Sequence, residues 1–244
     1  MKIHATQPNR IDILVDPGET LHFAYEYLQT PDFDMHVTPS REAFVPRLLA
    51  GKLWEGHYTA AEEPVLVRLG GDSPTGAFST VHVGPGKTFL VRLRYLAAYS
   101  FGKDGGFVSA TRLWDPVRWM TGLTFALMAR GPATLVFYGA GVERHDAAAG
   151  EHCFADQLIG FEGTSHFRVS ALRPIGAGGD VINAFSQTID VEFRDATQVV
   201  RSTVRTKSQC RWAKRVAYLL FVVVLGGWVL EKCFLEDWIW SWIR

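Results

Sequence analysis

The sequence predicts an all-β domain of three repeated units with rolled sheets, followed by one C-terminal transmembrane helix. One strand–turn–strand pattern recurs along the first 200 residues, and glycine or proline interrupts the chain about every ten residues. The hydrophobic content of 48% is ample for a core in a chain of 244 residues. Near the C terminus, fifteen residues without a charge follow a basic segment. These observations separate a β domain, residues 1–204, from a membrane segment.

The repeat is clearest around two Pro-Gly pairs. Asp16-Pro17-Gly18-Glu19 aligns with Gly84-Pro85-Gly86-Lys87, and apolar or aromatic residues occupy every second position on either side. In the first copy these are Ile13, Val15, Leu21, Phe23, Tyr25 and Tyr27, and in the second Val81, Val83, Phe89, Val91, Leu93 and Tyr95. Proline followed by glycine suits the central positions of a type II turn. Each copy is therefore predicted to be strand, turn, strand.

A third and weaker copy has Gly150-Glu151-His152 at the turn. Cys153, Ala155 and Ile159 stand in the alternating places, and Gln157 breaks the pattern. The glycines of the three copies are separated by 68 and 64 residues. Internal repetition at this spacing predicts rolled sheets made of related β units.

The second copy also contains Gly86-Lys87-Thr88, the ending of a nucleotide-binding loop. That loop needs a glycine five positions before Gly86, where this sequence has Val81. It must also lead into a helix, whereas residues 89–95 alternate like a strand. A plain turn is therefore the favoured interpretation.

Most remaining segments up to residue 204 also have the composition of strands and turns. Strands are predicted at 65–69, 134–137, 167–171 and 189–193. The exceptions are residues 40–54, which suit a short helix or helical loop around Pro46, and residues 105–122.

Charge and cysteine content limit the partners and the compartment. Residues 1–204 carry 18 basic and 22 acidic residues, so this domain is not expected to bind nucleic acid. The three cysteines, Cys153, Cys210 and Cys233, form no CxxC pair. They indicate a reducing compartment without a disulfide framework.

The C-terminal segment predicts a membrane anchor. Residues 216–230 are uncharged and, as a helix, extend ~22 Å, which the continuation to Leu235 lengthens toward the ~30 Å of a bilayer core. The basic linker 205–215 precedes this 216–235 helix, and the Trp-rich tail 236–244 follows it. A buried helix of a soluble protein is the alternative. The residues expected at the membrane are Arg211, Lys214, Arg215, Trp228, Trp238 and Trp242.

The positive flank predicts a tail-anchored, single-pass topology with the β domain in the cytoplasm, most simply at a bacterial inner membrane. The N-terminal residues have the charge but not the apolar core of a signal peptide.

The repeated turns and the stretch 122–169 resemble the mitochondrial biogenesis family named for altered inheritance of mitochondria, protein twenty-four, which has many bacterial members. The matching features are Gly131-Pro132 before a strand, Gly139, Gly150-Glu151 and the apolar run at 158–161. The resemblance covers about residues 10–195. It implies a rolled, pseudo-threefold fold of the tryptophan-attenuator-protein-like or double-stranded β-helix type. It also implies association with a membrane, and it carries over no catalytic residues.

Two groups of residues are candidates for chemistry or binding. His145, Glu151, His152 and Asp156 have the side chains of a metal site but lack the His-x-His spacing of a cupin. Arg112, Trp114, Arg118 and Trp119 interleave cationic and aromatic residues, as in a surface that meets lipid or a partner, although tryptophans folded onto the core give the same pattern.

The sequence therefore predicts a non-catalytic, membrane-tethered scaffold without a cofactor. Its expected partners are membrane lipid, further copies of itself and a membrane protein. The alternative is a membrane-anchored, cupin-like metal-dependent enzyme.

Overall fold

The protein is all-β, as predicted, and is built from several antiparallel sheets. The computed structural model describes residues 1–7, 9–30, 36–39, 54–109, 126–171 and 189–204. These residues form eighteen strands and two short 3₁₀ turns, Tyr25–Tyr27 and Leu93–Tyr95. The strands are β1 Lys2–Gln7, β2 Arg10–Val15, β3 Thr20–Ala24, β4 His36–Pro39, β5 Trp54–Thr59, β6 Val65–Gly70, β7 Gly76–Val83, β8 Thr88–Val91, β9 Leu96–Phe101, β10 Gly106–Ser109, β11 Leu127–Arg130, β12 Ala133–Ala140, β13 Val142–Ala147, β14 His152–Phe154, β15 Leu158–Glu162, β16 Phe167–Ala171, β17 Ile189–Phe193 and β18 Thr197–Ser202.

The strands assemble into four sheets. Two sheets have six strands, in the orders β4-β5-β3-β9-β12-β7 and β10-β11-β8-β15-β18-β13. Two have three strands, in the orders β1-β2-β6 and β14-β17-β16. We call the six-stranded sheet that begins with β4 the first large sheet.

One pairing scheme recurs three times among the described strands. In the second unit, β7 and β9 flank β12, while β8 and β10 flank β11. In the third unit, β13 and β15 flank β18, while β14 and β16 flank β17. In the first unit, β3 and β4 flank β5. Strand β2 pairs with one side of β6, and on the other side of β6 an isolated bridge from Leu28 to Leu69 takes the place of a full strand.

Consecutive units share sheets. β3 of the first unit pairs with β9 of the second, and β8 of the second pairs with β15 of the third. Each unit therefore contributes strands to two sheets, which a chain of separate hairpins would not do. The four strands predicted at 65–69, 134–137, 167–171 and 189–193 are all confirmed.

The strand predicted over residues 89–95 is shorter than expected. β8 ends at Val91, and Tyr95 N–H then donates to the Arg92 carbonyl at 3.1 Å in a 3₁₀ turn. The first unit has the same turn, in which Leu28 N–H donates to the Tyr25 carbonyl at 3.1 Å. This turn carries the chain from β8 in one large sheet to β9 in the other. Alternating aromatic residues fit a strand and a tight turn equally well, which explains the error.

The two segments set apart as exceptions are described only in part. Trp54 begins strand β5, so the helix or helical loop expected over 40–54 does not extend to its last residue. Within 105–122, Gly106–Ser109 is strand β10. Residues 40–53 and 110–122 lie outside the described residues.

Apolar side chains from all three units fill the core. Phe23, Phe137 and Phe193 are fully buried, one in each unit, and each belongs to a different hydrophobic cluster. Fully burying one such side chain stabilises the fold by roughly 1.5–3 kcal/mol. The core is thus distributed over the three units.

Separately from the three repeated units, the chain as a whole divides into two compact parts, Met1–Arg205 and Thr206–Arg244. Among the described residues, which all belong to the first, no helix has the length and apolarity needed to cross a membrane. The predicted linker 205–215, helix 216–235 and tail 236–244 lie outside the described residues.

Candidate functional site

The three predicted turns are present and share one geometry. Gly18, Gly86 and Gly150 have φ of 77°, 74° and 82°, which L side chains rarely adopt. In each turn the residue after glycine donates its N–H to the carbonyl three positions earlier, at 3.0 Å in the first turn and 3.1 Å in the second and third. Pro17 and Pro85 precede the first two glycines, as a type II turn favours.

The turns are also hydrogen-bonded to an equivalent position, at or just after the end of the distant strands β5, β11 and β17. Gly18 N–H donates to the Ala60 carbonyl at 2.7 Å, and Gly150 N–H donates to the Phe193 carbonyl at 2.7 Å. In the second unit, Gly131 N–H donates to the Lys87 carbonyl at 2.9 Å. Strand β8, not a helix, begins at Thr88. The Gly86-Lys87-Thr88 stretch is therefore a structural turn that leads into a strand. A phosphate-binding loop would require a helix at this point.

Glu151 of the third turn forms an ionic network. Its carboxylate accepts the Ala148 N–H at 3.1 Å and lies 2.6 Å from His145 Nε2 and 3.3 Å from Arg201 Nη1. Arg201 Nε also donates to Glu143 at 2.8 Å. Partial burial acts to raise the pKa of Glu151, but the hydrogen bonds from Ala148 and His145 and the electrostatic effect of His145 and Arg201 together lower it.

His152 belongs to a different pair. Its Nδ1 lies 2.5 Å from the Asp190 carboxylate, and the His152 side chain is 56% exposed while that of Asp190 is 8% exposed. The hydrogen bond and charge of Asp190 raise the pKa of His152. His145 and His152 thus bind separate carboxylates. Within the described part of the chain, no three His, Cys, Asp or Glu side chains form a group suited to a metal ion.

A second polar cluster lies on the first large sheet, and the sequence analysis missed it. The ring of His22 on β3 stacks on Tyr99 of β9, with centroids 4.7 Å apart and an interplanar angle of 2°. The His57 ring on β5 lies 6.0 Å from the His22 ring, between centroids. Tyr99 donates its hydroxyl to Glu55 at 2.9 Å, and both residues are buried, at 4% and 9% exposure. We call His22, His57, Glu55 and Tyr99 the histidine cluster.

The register of the sheet builds this cluster. His22 is opposite His57 on one side and opposite Tyr99 on the other, and His57 is opposite His36 of β4. His22 and His57 are 35 residues apart in sequence, so no spacing motif relates them. Only a prediction that β3 pairs with β5 in this register would have brought His22 and His57 together.

Several predicted residues lie outside the described ranges. These are the patch Arg112, Trp114, Arg118 and Trp119, and the membrane residues Arg211, Lys214, Arg215, Trp228, Trp238 and Trp242.

Comparison with known proteins defines the fold alone. No protein-family model matches the sequence, and no curated protein matches it significantly. The chain is similar in structure to a protein from Streptococcus pyogenes determined by X-ray crystallography. The TM-score is 0.58 at 9% sequence identity, over 88% of this chain and 98% of the other. At that identity the similarity indicates a shared all-β architecture and leaves the activity open.

Proposed function

We propose that this protein is a non-catalytic, membrane-tethered scaffold. The β domain, residues 1–204, is its interaction module, and the helix 216–235 is its anchor at the cytoplasmic face of a bacterial inner membrane. The observation that carries this proposal is the uncharged run 216–230, bordered by Lys214 and Arg215 and followed by Trp238 and Trp242. Cationic residues and tryptophans at the two ends are typical of a membrane span.

The end of the described β domain supports the proposed boundary. Ser202, at the end of β18, donates to the Ala140 carbonyl at 2.6 Å, and Thr203 donates to the Gly141 carbonyl at 3.1 Å. These bonds fasten the last strand to the β12–β13 connection. The basic segment 205–215 follows directly in the sequence, and each of its five positive charges would contribute ~1 kcal/mol to binding an anionic lipid surface.

We further propose that the domain is a rolled, pseudo-threefold member of the altered-inheritance-of-mitochondria twenty-four family. The recurrence of one pairing scheme in three units supports this assignment. So does the positive φ of the glycine at each of the three family-like turn positions, Gly18, Gly86 and Gly150.

Self-association is part of the proposal. Both large sheets end in strands with one ladder partner among the described strands, such as β10 and β13. On β10, Val108 is 50% exposed. Strands of this kind offer backbone N–H and C=O groups to another chain. A second copy of this domain, or a membrane protein, is the expected partner.

The alternative of a cupin-like metal enzyme has no comparable support at the predicted residues. His145 and His152 are each engaged by a separate carboxylate, at 2.6 and 2.5 Å.

Membrane fractionation tests the scaffold proposal. The full chain should remain in the membrane pellet after alkaline carbonate extraction, whereas a version truncated after Val204 should be soluble and oligomeric by light scattering. Release of the full chain by carbonate would show that 216–230 is a core or docking helix. If the truncated protein is monomeric, the β domain does not self-associate, and this part of the proposal is wrong. The proposal of a membrane anchor would not be affected by that result.

A further inference from the structure

Three histidines of the third unit each contact a carboxylate on a neighbouring segment. The pairs are His145 with Glu151 of the third turn, His152 of β14 with Asp190 of β17, and His166, just before β16, with Asp195, between β17 and β18. The nitrogen–oxygen distances are 2.6, 2.5 and 2.8 Å. Imidazole is the side chain whose charge ordinarily changes near neutral pH. Contacts of this kind are therefore strongest when the ring is protonated.

Strand β14 is the shortest of the three strands that follow the turns. It has three residues, whereas β3 has five and β8 has four. Among the described strands, β14 pairs with β17 alone, whereas β3 lies between β5 and β9, and β8 lies between β11 and β15. Few backbone hydrogen bonds therefore hold β14, and its side-chain pair with β17 makes up a larger share of its attachment.

The residues of β17 favour the protonated form of His152. The hydrogen bond and charge of Asp190 and the charge of Glu192 raise the pKa of His152, against the opposing effect of burial. Glu192 is the register partner of His152 on one side and of Arg168 of β16 on the other. Because the pKa of His152 is raised by folding, its contribution is fully present below its unfolded pKa of about 6.5. The contribution is lost as the pH rises through the higher, folded pKa.

The other two pairs hold the segments that adjoin β14 and β17. Glu151, the partner of His145, also lies 3.3 Å from Arg201 of β18, so the third turn keeps one cationic contact at any neutral pH. His166 and Asp195 are both exposed, with Arg194 as a further charge near Asp195. Exposed ion pairs contribute little. The pair of His152 with the buried Asp190 is therefore expected to have the largest effect.

Cys153, in the middle of β14, reports whether the strand is paired. Its side chain is buried and belongs to the same hydrophobic cluster as Val191 and Phe193 of β17. Burial raises the pKa of the Cys153 thiol to about 11. A buried thiol of this kind is unreactive, because the thiolate is the reacting form. Release of β14 from β17 would bring the thiol into water and restore its ordinary reactivity.

We propose that the third unit contains a pH-responsive clasp, in which protonated His152 holds β14 on β17 while His145 and His166 hold the adjoining turn and loop. As the pH rises and the imidazoles lose their protons, β14 loosens and Cys153 becomes accessible. The clasp lies within the β domain and does not depend on the membrane anchor.

The first and second units provide an internal comparison. At the position of His152 they have Thr20, opposite Thr59, and Thr88, opposite Arg130. Threonine does not titrate, so β3 and β8 lack this clasp at the equivalent position. A pH effect confined to the third unit is therefore the signature of the proposal.

Thiol labelling of the full chain in mild detergent measures the opening of β14. Cys210→Ser and Cys233→Ser leave Cys153 as the single thiol. At each pH its reaction rate with iodoacetamide is divided into that of a synthetic peptide of residues 149–157, which cancels the pH dependence of the thiol itself. This protection factor should fall about two- to fivefold between pH 6 and pH 8.5, the effect of one exposed ion pair. Protection that is constant or rises over this range would overturn the proposal.

Variants in the same background assign the effect to its residue. His152→Gln has no proton to lose, so at pH 6 its protection should already be near the wild-type value at pH 8.5. Asp190→Asn removes the charge that His152 faces and should flatten the profile in the same way. His82→Gln is the matched control, because His82 bonds Thr134 in the second unit at 3.1 Å, and it should keep the wild-type profile. A full wild-type pH dependence in His152→Gln would contradict the assignment.

Hydrogen exchange of the unmodified chain gives a result that does not depend on variants folding. After correction for intrinsic exchange, peptides from β14 and β17 should lose protection between pH 6 and pH 8.5 through local opening, whereas peptides from β3 and β8 should not. An equal loss in all three units would show a change in global stability and would overturn the proposal.

Discussion

The second of the three turns differs from the first and third in the side chain that follows its glycine. Glu19 and Glu151 each accept the backbone N–H at the start of their own turn, at 3.2 and 3.1 Å. Lys87 has no oxygen to do so, and its ammonium lies 3.0 Å from Glu162 instead. The backbone of all three turns is nevertheless the same, with glycine at φ between 74° and 82°. The backbone conformation is therefore what the three repeats share, whereas the side-chain contacts differ from turn to turn.

The residue that meets each turn, at or just after the end of a distant strand, shows the same contrast. The first and third units have Ala60 and Phe193 there, whereas the second has Gly131. A Cβ at Gly131 would lie 2.1 Å from the Gly84 carbonyl oxygen and 2.5 Å from that of Val83. The second unit thus closes more tightly against its turn than the other two.

The largest expected effect comes from filling this close contact. Gly131→Ala places a methyl group against two backbone oxygens, which cannot move without shifting the β7 end of the sheet. We expect a loss of about 3 kcal/mol in the free energy of unfolding, the upper part of the usual range for overpacking. Chemical denaturation of the chain truncated after Val204 measures it.

Ala60→Gly is the matched control, because it converts the first unit to the residue found in the second. It should cost only about 0.5–1 kcal/mol, the usual penalty of replacing alanine by glycine in an ordered segment. Equal losses for Gly131→Ala and Ala60→Gly would show that the two positions are packed alike.

The sequence was informative where backbone geometry requires a particular residue. Positive φ at Gly18 and Gly86 needs glycine, and half-buried strands need alternation, so turns and strands were predictable from local pattern. The pairing of His22 with His57, and of His152 with Asp190, depends on strand register between segments 35 and 38 residues apart. No local signal encodes that register. The 3₁₀ turn at Leu93–Tyr95 was missed because its aromatic spacing also fits a strand.

A smaller effect should be equal in all three units. Gly18→Ala, Gly86→Ala and Gly150→Ala each force an L side chain into the left-handed region, although nothing lies within 4 Å of the new Cβ. Each should cost about 1–2 kcal/mol, because the strain is that of the backbone alone. Thermal or urea unfolding of the three single variants measures this loss.

Gly106→Ala provides the control for these variants. Its Cβ also meets nothing within 4 Å, and its φ is outside the left-handed region, so it should change stability by less than about 0.5 kcal/mol. Unequal losses among the three turn variants would mean that the turns are not conformationally equivalent.

The smallest effect concerns the carboxylate that the second turn lacks. Because the pKa of Glu151 is lowered in the folded protein, ionised Glu151 stabilises the fold above its unfolded pKa of about 4.3. This contribution is lost as the pH falls through the lower, folded pKa. Glu151→Gln keeps an oxygen for the Ala148 N–H but removes the charge facing His145 and Arg201. At pH 7 it should cost at most about 1 kcal/mol, because the network is partly exposed.

The pH dependence distinguishes this electrostatic contribution from a packing defect. The difference in unfolding free energy between wild type and Glu151→Gln should shrink as the pH falls through the unfolded and then the lower, folded pKa of Glu151, because below both values the two side chains are neutral. Glu63→Gln, at an exposed position in the loop between β5 and β6, should show no comparable difference at any pH in this range. A wild-type advantage that persists at a pH low enough to protonate Glu151 in the folded protein would mean that the amide disturbs the turn itself. The third turn would then depend on the shape of its carboxylate and not on the charge that the second turn has reversed.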